Sequence, residues 1–494
     1  MPRWVPRTTP ESGPLAGSGP AVARVFHALL ALHFLVAWSS LGVQVLPLIG
    51  PDGLEPALDH FARLAARQDL GMLDAPSPFW FGASAPALVG GCVLGGALAL
   101  AAAAGLAPRV LLPLSALLYL GYAHAAPTFL SFQWDNLLIE AGLLAALLPR
   151  DRASPLAHLA LRLLLFKVFF ESGLAKWASP RGDWQDGSAM AAYYETAPLP
   201  TPLASLFHHL PAWWHTLESW WVVGFELAVP VAIFGGRRLR ALALGVFATF
   251  LVMNFATANY GFFVPLAGTL LVFLLDESHA RAVLRLARRE PPPLAPAPSR
   301  SARTLTAMLV GGWVALSTLG GLARFADADL APGVRRAAAA WRAANSYHLF
   351  TSITTQRLEP EFQTSLDGQT WTAQALHHKP GPADRRPPLV APHQPRLDFQ
   401  LWFYALRWQR STPRYVVRLV EGLCHAPQRV QTFFDTPLPS DARAVRIVFH
   451  DLRFTDGETR RATGRWWDRL EVGATRTLSC TDVPRTGHPA ADAR

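Results

Sequence analysis

The sequence predicts a multi-pass α-helical membrane bundle of about nine spans, N-terminus in and C-terminus out, followed by a C-terminal β-rich exterior domain. Three observations predict it. Hydrophobic residues make up 51% of the 494 and charged ones only 16%, well under the roughly 25% of an average soluble protein. Apolar runs long enough to cross the hydrocarbon core recur through residues 22–322. Beyond Phe325 the pattern changes to short alternating stretches bounded by turn residues.

Taken in order, residues 1–20 are rich in Pro, Gly and Ser and read as a disordered tail. No cleavable signal peptide is expected, because the first apolar run is long enough to span. Nine span candidates follow, near residues 22–49, 80–106, 110–130, 134–148, 156–177, 217–234, 239–256, 260–275 and 305–322. The first eight form a bundle over 21–288. A proline-rich cytoplasmic linker, 289–303, precedes the last span within 304–325.

Arginine sets the orientation. Arg24, Arg109, Arg150, Arg152, Arg237, Arg238, Arg240, Arg281, Arg285 and Arg288 fall in alternate loops, with Arg3, Arg7 and Arg289 beside them. The intervening loops carry only Arg63, Arg67 and Arg181, which places the N-terminus in the cytoplasm. The net charge of +10 is explained this way, and no basic stripe with interleaved aromatics points to nucleic acid.

The exterior domain, 326–480, begins with an Ala/Arg helix over 333–345. Strands are expected at 361–366, 370–377, 415–421 and 444–450, with Asp367-Gly368 as a turn and Pro360 shortening an edge. Residues 481–494 form a tail. Cys424 and Cys480 both lie on the oxidising side and can bridge; Cys92 sits in an apolar run.

Lysine is nearly absent: only Lys167, Lys176 and Lys379 occur among 45 basic residues. Lys167 and Glu171 stand at i and i+4 on one helix face and can pair. Lys176 is rotated away and can snorkel towards the exterior surface. Such groups read either as a structural ion pair or as a buried acid/base site. In SFQWDNLLIE (131–140), Asp135 and Asn136 lie at a span end and Glu140 deeper. An unpaired carboxylate there is expensive, so Glu140 should meet Lys167, Arg162, His33 or His124.

The loop from Trp177 to Trp221 is dense in Trp and Tyr, as suits a segment at the membrane interface. His208, His209 and His215 lack metal-ligand spacing, so no metal is expected, and no cofactor is implied. GxSxG, P-loop and GxGxxG signatures are absent.

FQWDNLLIEAGLLA (132–145), GDWQDGSAMAAYYETAPLPTPLASLFHHLP (182–211), FELAVP (225–230), YHLFTSITTQR (347–357) and APHQPRLDFQLWF (391–403) together resemble the lipase maturation factor family. In animals such factors are multi-pass membrane proteins of the endoplasmic reticulum, needed for secreted dimeric lipases to become active. The resemblance implies a chaperone-like maturation factor whose partners are the bilayer and a secreted lipase or other exported client. The localisation implied is the inner or cell membrane in a bacterium and the endoplasmic reticulum membrane in a eukaryote. The lysine-poor composition looks bacterial.

The client surface would draw on Asp183, Trp184, Tyr194, Glu195, Thr196, Pro198 and His208, with Arg386, His393, Gln394, Arg396, Asp398 and Trp402 from the exterior domain. PHQPRLD can equally be a polar cluster that docks that domain on the bundle. Deleting 326–494 should leave an inserted bundle and abolish client activation. A second, fainter resemblance to vitamin K-dependent carboxylase membrane bundles would make Lys167, Glu171 or Lys176 an acid or base, and Lys176→Arg separates chemistry from structure.

Overall fold

Each of the nine apolar runs forms a helix, the conformation in which a chain in hydrocarbon satisfies its own amide groups. The structure, a computed structural model, describes residues 19–66, 70–288, 299–328 and 330–485. Nearly all of the N-terminal tail, most of the proline-rich linker, Arg67, and the end of the C-terminal tail lie outside the described residues.

The helices that build the bundle and the site are α1 (Pro20–Gly42), α2 (Ala85–Ala103), α3 (Pro108–Ala125), α4 (Gln133–Leu144), α5 (Pro155–Trp177), α6 (Ala189–Thr196), α7 (Pro202–His208), α8 (Ala212–Ala232), α9 (Arg237–Thr257), α10 (Phe263–Leu270) and α11 (Arg300–Phe325). Their starts follow local chemistry. Proline occupies the first turn of α1, α2, α3 and α5, where a missing N–H costs nothing. The Ser84 hydroxyl accepts from Ala87 N (3.4 Å) to cap α2.

Among the described residues, four helices, α1, α2, α9 and α11, are long and apolar enough to cross a membrane. The others are shorter or carry buried polar groups. The linker expected to reach residue 303 ends earlier, since α11 starts at Arg300. The arginine-bearing loops gather at one end of the bundle. There Arg24 donates to Arg150 O (3.3 Å), Arg109 to Ala146 O (2.9 Å), and Arg237 (2.9 Å) and Arg240 (2.7 Å) to Asp276.

At the opposite end sits a C-terminal unit of mixed structure, helical as well as β, rather than the β-rich domain expected. It comprises α12 (Pro332–Ala340), β1 (Leu358–Ser365), β2 (Thr372–Gln374), α13 (Arg396–Ala405), α14 (Arg414–His425), β3 (Ala444–Phe454), β4 (Trp467–Ala474) and β5 (Leu478–Ser479). The sheet is antiparallel in the order β2-β1-β3-β4, with β5 beside the start of β3. Its core holds Phe362, Val445, Ile447, Phe449 and Trp467. The Trp408 ring stacks on Phe449 at 4.3 Å.

Two strand expectations are corrected. Residues 415–421, read as a strand for their β-branched alternation, lie inside α14. Its buried residues Tyr415, Val416, Leu419, Val420 and Leu423 follow the helical period, and Pro413 caps it. Pro360 does not cut β1 short. It pairs with Phe449 of β3, while β2 reaches only Phe362–Thr364, so Pro360 sits where β1 has no second neighbour to donate to. Cys424 and Cys480 are joined by a disulfide that ties the end of α14 to the end of β5.

Candidate functional site

The charges inside α4 and α5 point at one segment, residues 345–353, which crosses the end of the bundle between α12 and β1. Glu140 accepts from Lys167 Nζ (3.1 Å), Trp313 Nε1 (3.0 Å), Asn345 N (3.1 Å), Asn345 Nδ2 (2.8 Å) and Tyr347 OH (2.8 Å). Lys167 also donates to Ser317 Oγ of α11 (2.9 Å). Of the other partners considered for Glu140, Arg162 donates to Phe273 O (2.8 Å) and His124 meets Ala340 O (2.7 Å). His33 bonds Leu29 O (2.7 Å).

The expected Lys167–Glu171 pair is not the arrangement found. Glu171 accepts instead from Tyr347 N (2.7 Å), because 345–353 supplies nearer donors than the helix's own face. Lys176 does not snorkel. It is 2% exposed, pairs with Glu226 of α8 at 2.7 Å and donates to Leu349 O (3.0 Å). Gly173 permits this: a Cβ there would lie 2.9 Å from Glu226 Cβ, so α5 and α8 cross too closely for any other residue.

The loop after α5 continues the same seam. Asp183 accepts from Ile353 N (2.6 Å) and Ser179 Oγ (2.6 Å), and Trp184 Nε1 donates to Phe350 O (3.0 Å). Arg357, fully buried, donates to the carbonyls of Glu195 (2.7 Å), Ala197 (2.5 Å) and Pro198 (3.1 Å), and to Glu359 (2.6 Å). Glu359 in turn pairs with Lys379 at 2.7 Å. The Glu195 carboxylate accepts from Phe454 N (2.7 Å) and Arg453 (3.1 Å), and His208 lies 3.5 Å from it.

The PHQPRLD string docks on α1, α3 and α4. Arg396 forms a two-pronged pair with Asp135 (2.8 Å each) and donates to Tyr119 OH (2.9 Å) and Phe129 O (3.0 Å). Gln394 N donates to Ser40 Oγ (3.0 Å) and Arg396 N to Gln44 Oε1 (2.8 Å). Asn259 Oδ1 accepts from Val390 N (2.8 Å) and Ala391 N (3.0 Å). Gly261, at φ 53°, leaves room for the Gln394 side chain. Gln394, Arg396, Asp398, Asp183, Glu195 and Thr196 are all buried, and Asp398 accepts from His378 N (3.1 Å) within the C-terminal unit. The Asn136 carbonyl accepts from Asn345 Nδ2 at 3.5 Å. Arg386 is exposed, over the Trp466 ring at 5.8 Å.

His393 makes the seam sensitive to acid. Its Nδ1 lies 3.0 Å from Ser40 Oγ, and burial, with His378 and Arg396 nearby, pushes its pKa from 6.5 down to about 4. The folded state therefore binds this proton less readily than the unfolded chain. His393 stabilises the fold above pH 6.5, and that contribution is lost as pH falls through about 4. Melting measured across this range is expected to drop more steeply for the wild type than for His393→Gln.

Two apolar cavities flank Phe350, whose backbone is left-handed (φ 53°), a costly state for a bulky residue. One, about 280 Å³, opens along the seam between Thr196, Pro198, Ile353, Trp402 and Phe403. The other, about 670 Å³, lies between α8 and α9 and includes Trp184 and Tyr194 in its wall. Trp177, Trp213, Trp214, Trp220 and Trp221 are exposed on the outer surface nearby, while Trp184, Tyr193 and Tyr194 are buried. Among the described residues, no cluster of His, Cys, Asp and Glu is placed to hold a metal ion.

Sequence reasoning missed Asn345, Tyr347, Arg357, Glu359, Asn259 and Gln44. Lys379, one of three lysines, was the available signal for the Arg357–Glu359 cluster.

The family model for the lipase maturation factor transmembrane domain matches residues 21–282, and that for the lipase maturation factor C-terminal domain matches 343–477. Lipase maturation factor 2 of Gallus gallus is 28% identical over 570 aligned residues, covering 91% of this chain and 80% of that protein. The Homo sapiens protein of that name is also 28% identical, covering 90% and 80%. Lipase maturation factor 1 of Bos taurus is 26% identical, covering 81% and 74%. No solved structure matches. With both halves of the chain matched, and the seam built from the strings that carry the likeness, this membrane protein belongs to the lipase maturation factor family.

Proposed function

We propose that this chain assists the folding and activation of secreted lipases or similar exported clients at the membrane surface. The observation that carries the proposal is the seam: YYETAPLPTPL and APHQPRLDFQLWF, the strings most particular to the family, weld the C-terminal unit to the bundle. Such a weld holds a client-handling surface at a fixed height above the bilayer. The relatives' names, lipase maturation factors 1 and 2, supply the client class. The comparisons give no support to a carboxylase-type enzyme.

Nine spans with a cytoplasmic N-terminus complete the reading, divided as bundle, linker, last span and exterior unit. It is supported by nine helices at the apolar runs and by arginines gathered at the end away from the C-terminal unit. The exterior compartment is the lumen of the endoplasmic reticulum in a eukaryote and the periplasm or extracellular space in a bacterium.

The client contact we favour is the groove along the seam, where Trp402 and Phe403 are half-buried and apolar. Removing residues 326–494 is a poor test, because it also strips Glu140, Glu171 and Lys176 of their bonds to residues 345–349. Point variants are cleaner. In cells lacking their own factor, this chain is supplied with a secreted lipase, and activity per unit of secreted lipase protein is measured. Thr354→Trp, which fills the groove, and Trp402→Ala are each expected to lower it about tenfold, as loss of an aromatic anchor does. Full lipase activity with both variants at normal factor levels would refute the groove as the client site.

A further inference from the structure

The larger cavity has a composition that selects a ligand. Phe250, Val222 and Trp221 make its walls, and Lys176, Glu218 and Asn254 give it polar groups. Its volume of about 670 Å³ falls within the ~300–1,000 Å³ of small-molecule sites. Trp214, Leu217, Trp221 and Met253 line it yet are themselves exposed, so it opens on the outer face of α8 and α9. That face is continuous with the lipid-facing surface of α9, where Leu242 and Val252 are also exposed.

The polar groups are unequal in what they still offer. Lys176 is neutralised by Glu226 and bonded to Leu349 O, which leaves one of its three N–H donors. Glu218 Oε1 accepts from Tyr194 OH (2.5 Å), but Oε2 is buried with no hydrogen-bond partner. His215 Nδ1, 3.8 Å away, is likewise without one. A buried carboxylate oxygen left unpaired is costly and favours a ligand that donates to it. An anionic head group would be repelled by Glu218 and would find the lysine charge already taken.

We propose that the space between α8 and α9 binds a neutral amphiphile with one apolar chain and a hydroxyl-bearing head group, entering laterally from the bilayer. A hydroxyl donates to Glu218 Oε2 and accepts from Lys176, while the chain lies along Val222 and Phe250. The inference rests on the reading that α8 and α9 both cross the membrane.

The test uses the purified full chain in detergent with a monoacylglycerol bearing a photoreactive diazirine in its chain, with labelled peptides mapped by mass spectrometry. Labelling is expected at Trp221, Val222, Phe250 and Met253. Unlabelled monoacylglycerol should compete it at least tenfold more effectively than a fatty acid of equal length. Val222→Trp, which fills the space, and Glu218→Ala should each reduce the competable label at least fivefold. Loss with Val222→Trp but not with Glu218→Ala overturns the head-group assignment. Labelling spread evenly over the outer faces of α8 and α9, without competition, overturns the site while leaving their membrane exposure intact. No labelling of α8 at all counts against the span reading itself.

Discussion

Glu140→Ala is expected to be the most damaging single change outside the helix backbones. It removes the acceptor of five hydrogen bonds from four residues on three segments: α5, α11 and the 345–353 crossing. Lys167 is left buried beside Ser317 and the Trp313 and Tyr347 rings, without its bonded carboxylate. Leaving one partner of a buried ion pair uncompensated costs about 3–5 kcal/mol, and the stranded indole, amide and phenol add to that. Thermal melting in detergent should shift down sharply, and α11, otherwise buried only at Val310 and Trp313, should become accessible to protease near its 317 end. Glu140→Gln keeps the shape and one acceptor but not the charge, and should fall between. Wild-type stability in both variants would mean that the cluster is incidental.

Arg396→Ala is the second. Arg396 and Asp135 are at most 1% exposed, and the guanidinium's two-pronged bond is joined by Tyr119 OH and Phe129 O. Truncating it leaves a buried carboxylate facing a phenol. The expected cost is again about 3–5 kcal/mol, concentrated in the docking of the C-terminal unit. Arg396→Lys should recover little, since an ammonium cannot make the fork. Limited proteolysis should release a fragment beginning between α11 and β1 more readily from either variant than from the wild type. Unchanged cleavage kinetics would argue that PHQPRLD does not hold the units together.

The helices were legible because an apolar run in a membrane has few alternatives to a helix. The Glu140–Lys167 contact was also within reach, since the expense of a lone carboxylate demands a cation and α5 offers one. What remained hidden came from far along the chain. Asn345 and Tyr347 lie more than 200 residues from Glu140, and no local spacing announces them. The Lys167–Glu171 spacing misled for the same reason, since helix geometry permits that pair but cannot show that a distant backbone N–H competes for Glu171. Residues 415–421 misled because β-branched residues favour strands locally, while burial against the sheet follows a helical stripe.

Lysine was a better guide than its rarity suggested. All three lysines are buried in ion pairs, with Glu140, Glu226 and Glu359. In a chain whose other 42 basic residues are arginine, lysine persists where a compact ammonium, not a planar fork, fits.

Most of the site residues proposed from sequence are buried. Arg396, Asp398, Gln394, Asp183 and Glu195 looked like a recognition surface because charged and aromatic residues crowd unusual strings. They are buried instead, and Arg396, Asp183 and Glu195 bond across the seam. Arg386 is exposed, and Trp402, half-buried in the groove, also donates to Thr196 O (3.1 Å).

The C-terminal unit and the bundle are expected to behave as one energetically coupled body. A double-mutant cycle on Asp135→Asn and Arg396→Gln, read by melting of the full chain in detergent, tests it most directly. The double variant is expected to be more stable than the sum of the single losses allows, by about 2–3 kcal/mol. Losses that add to within about 0.5 kcal/mol would contradict it, leaving two units that touch without holding each other.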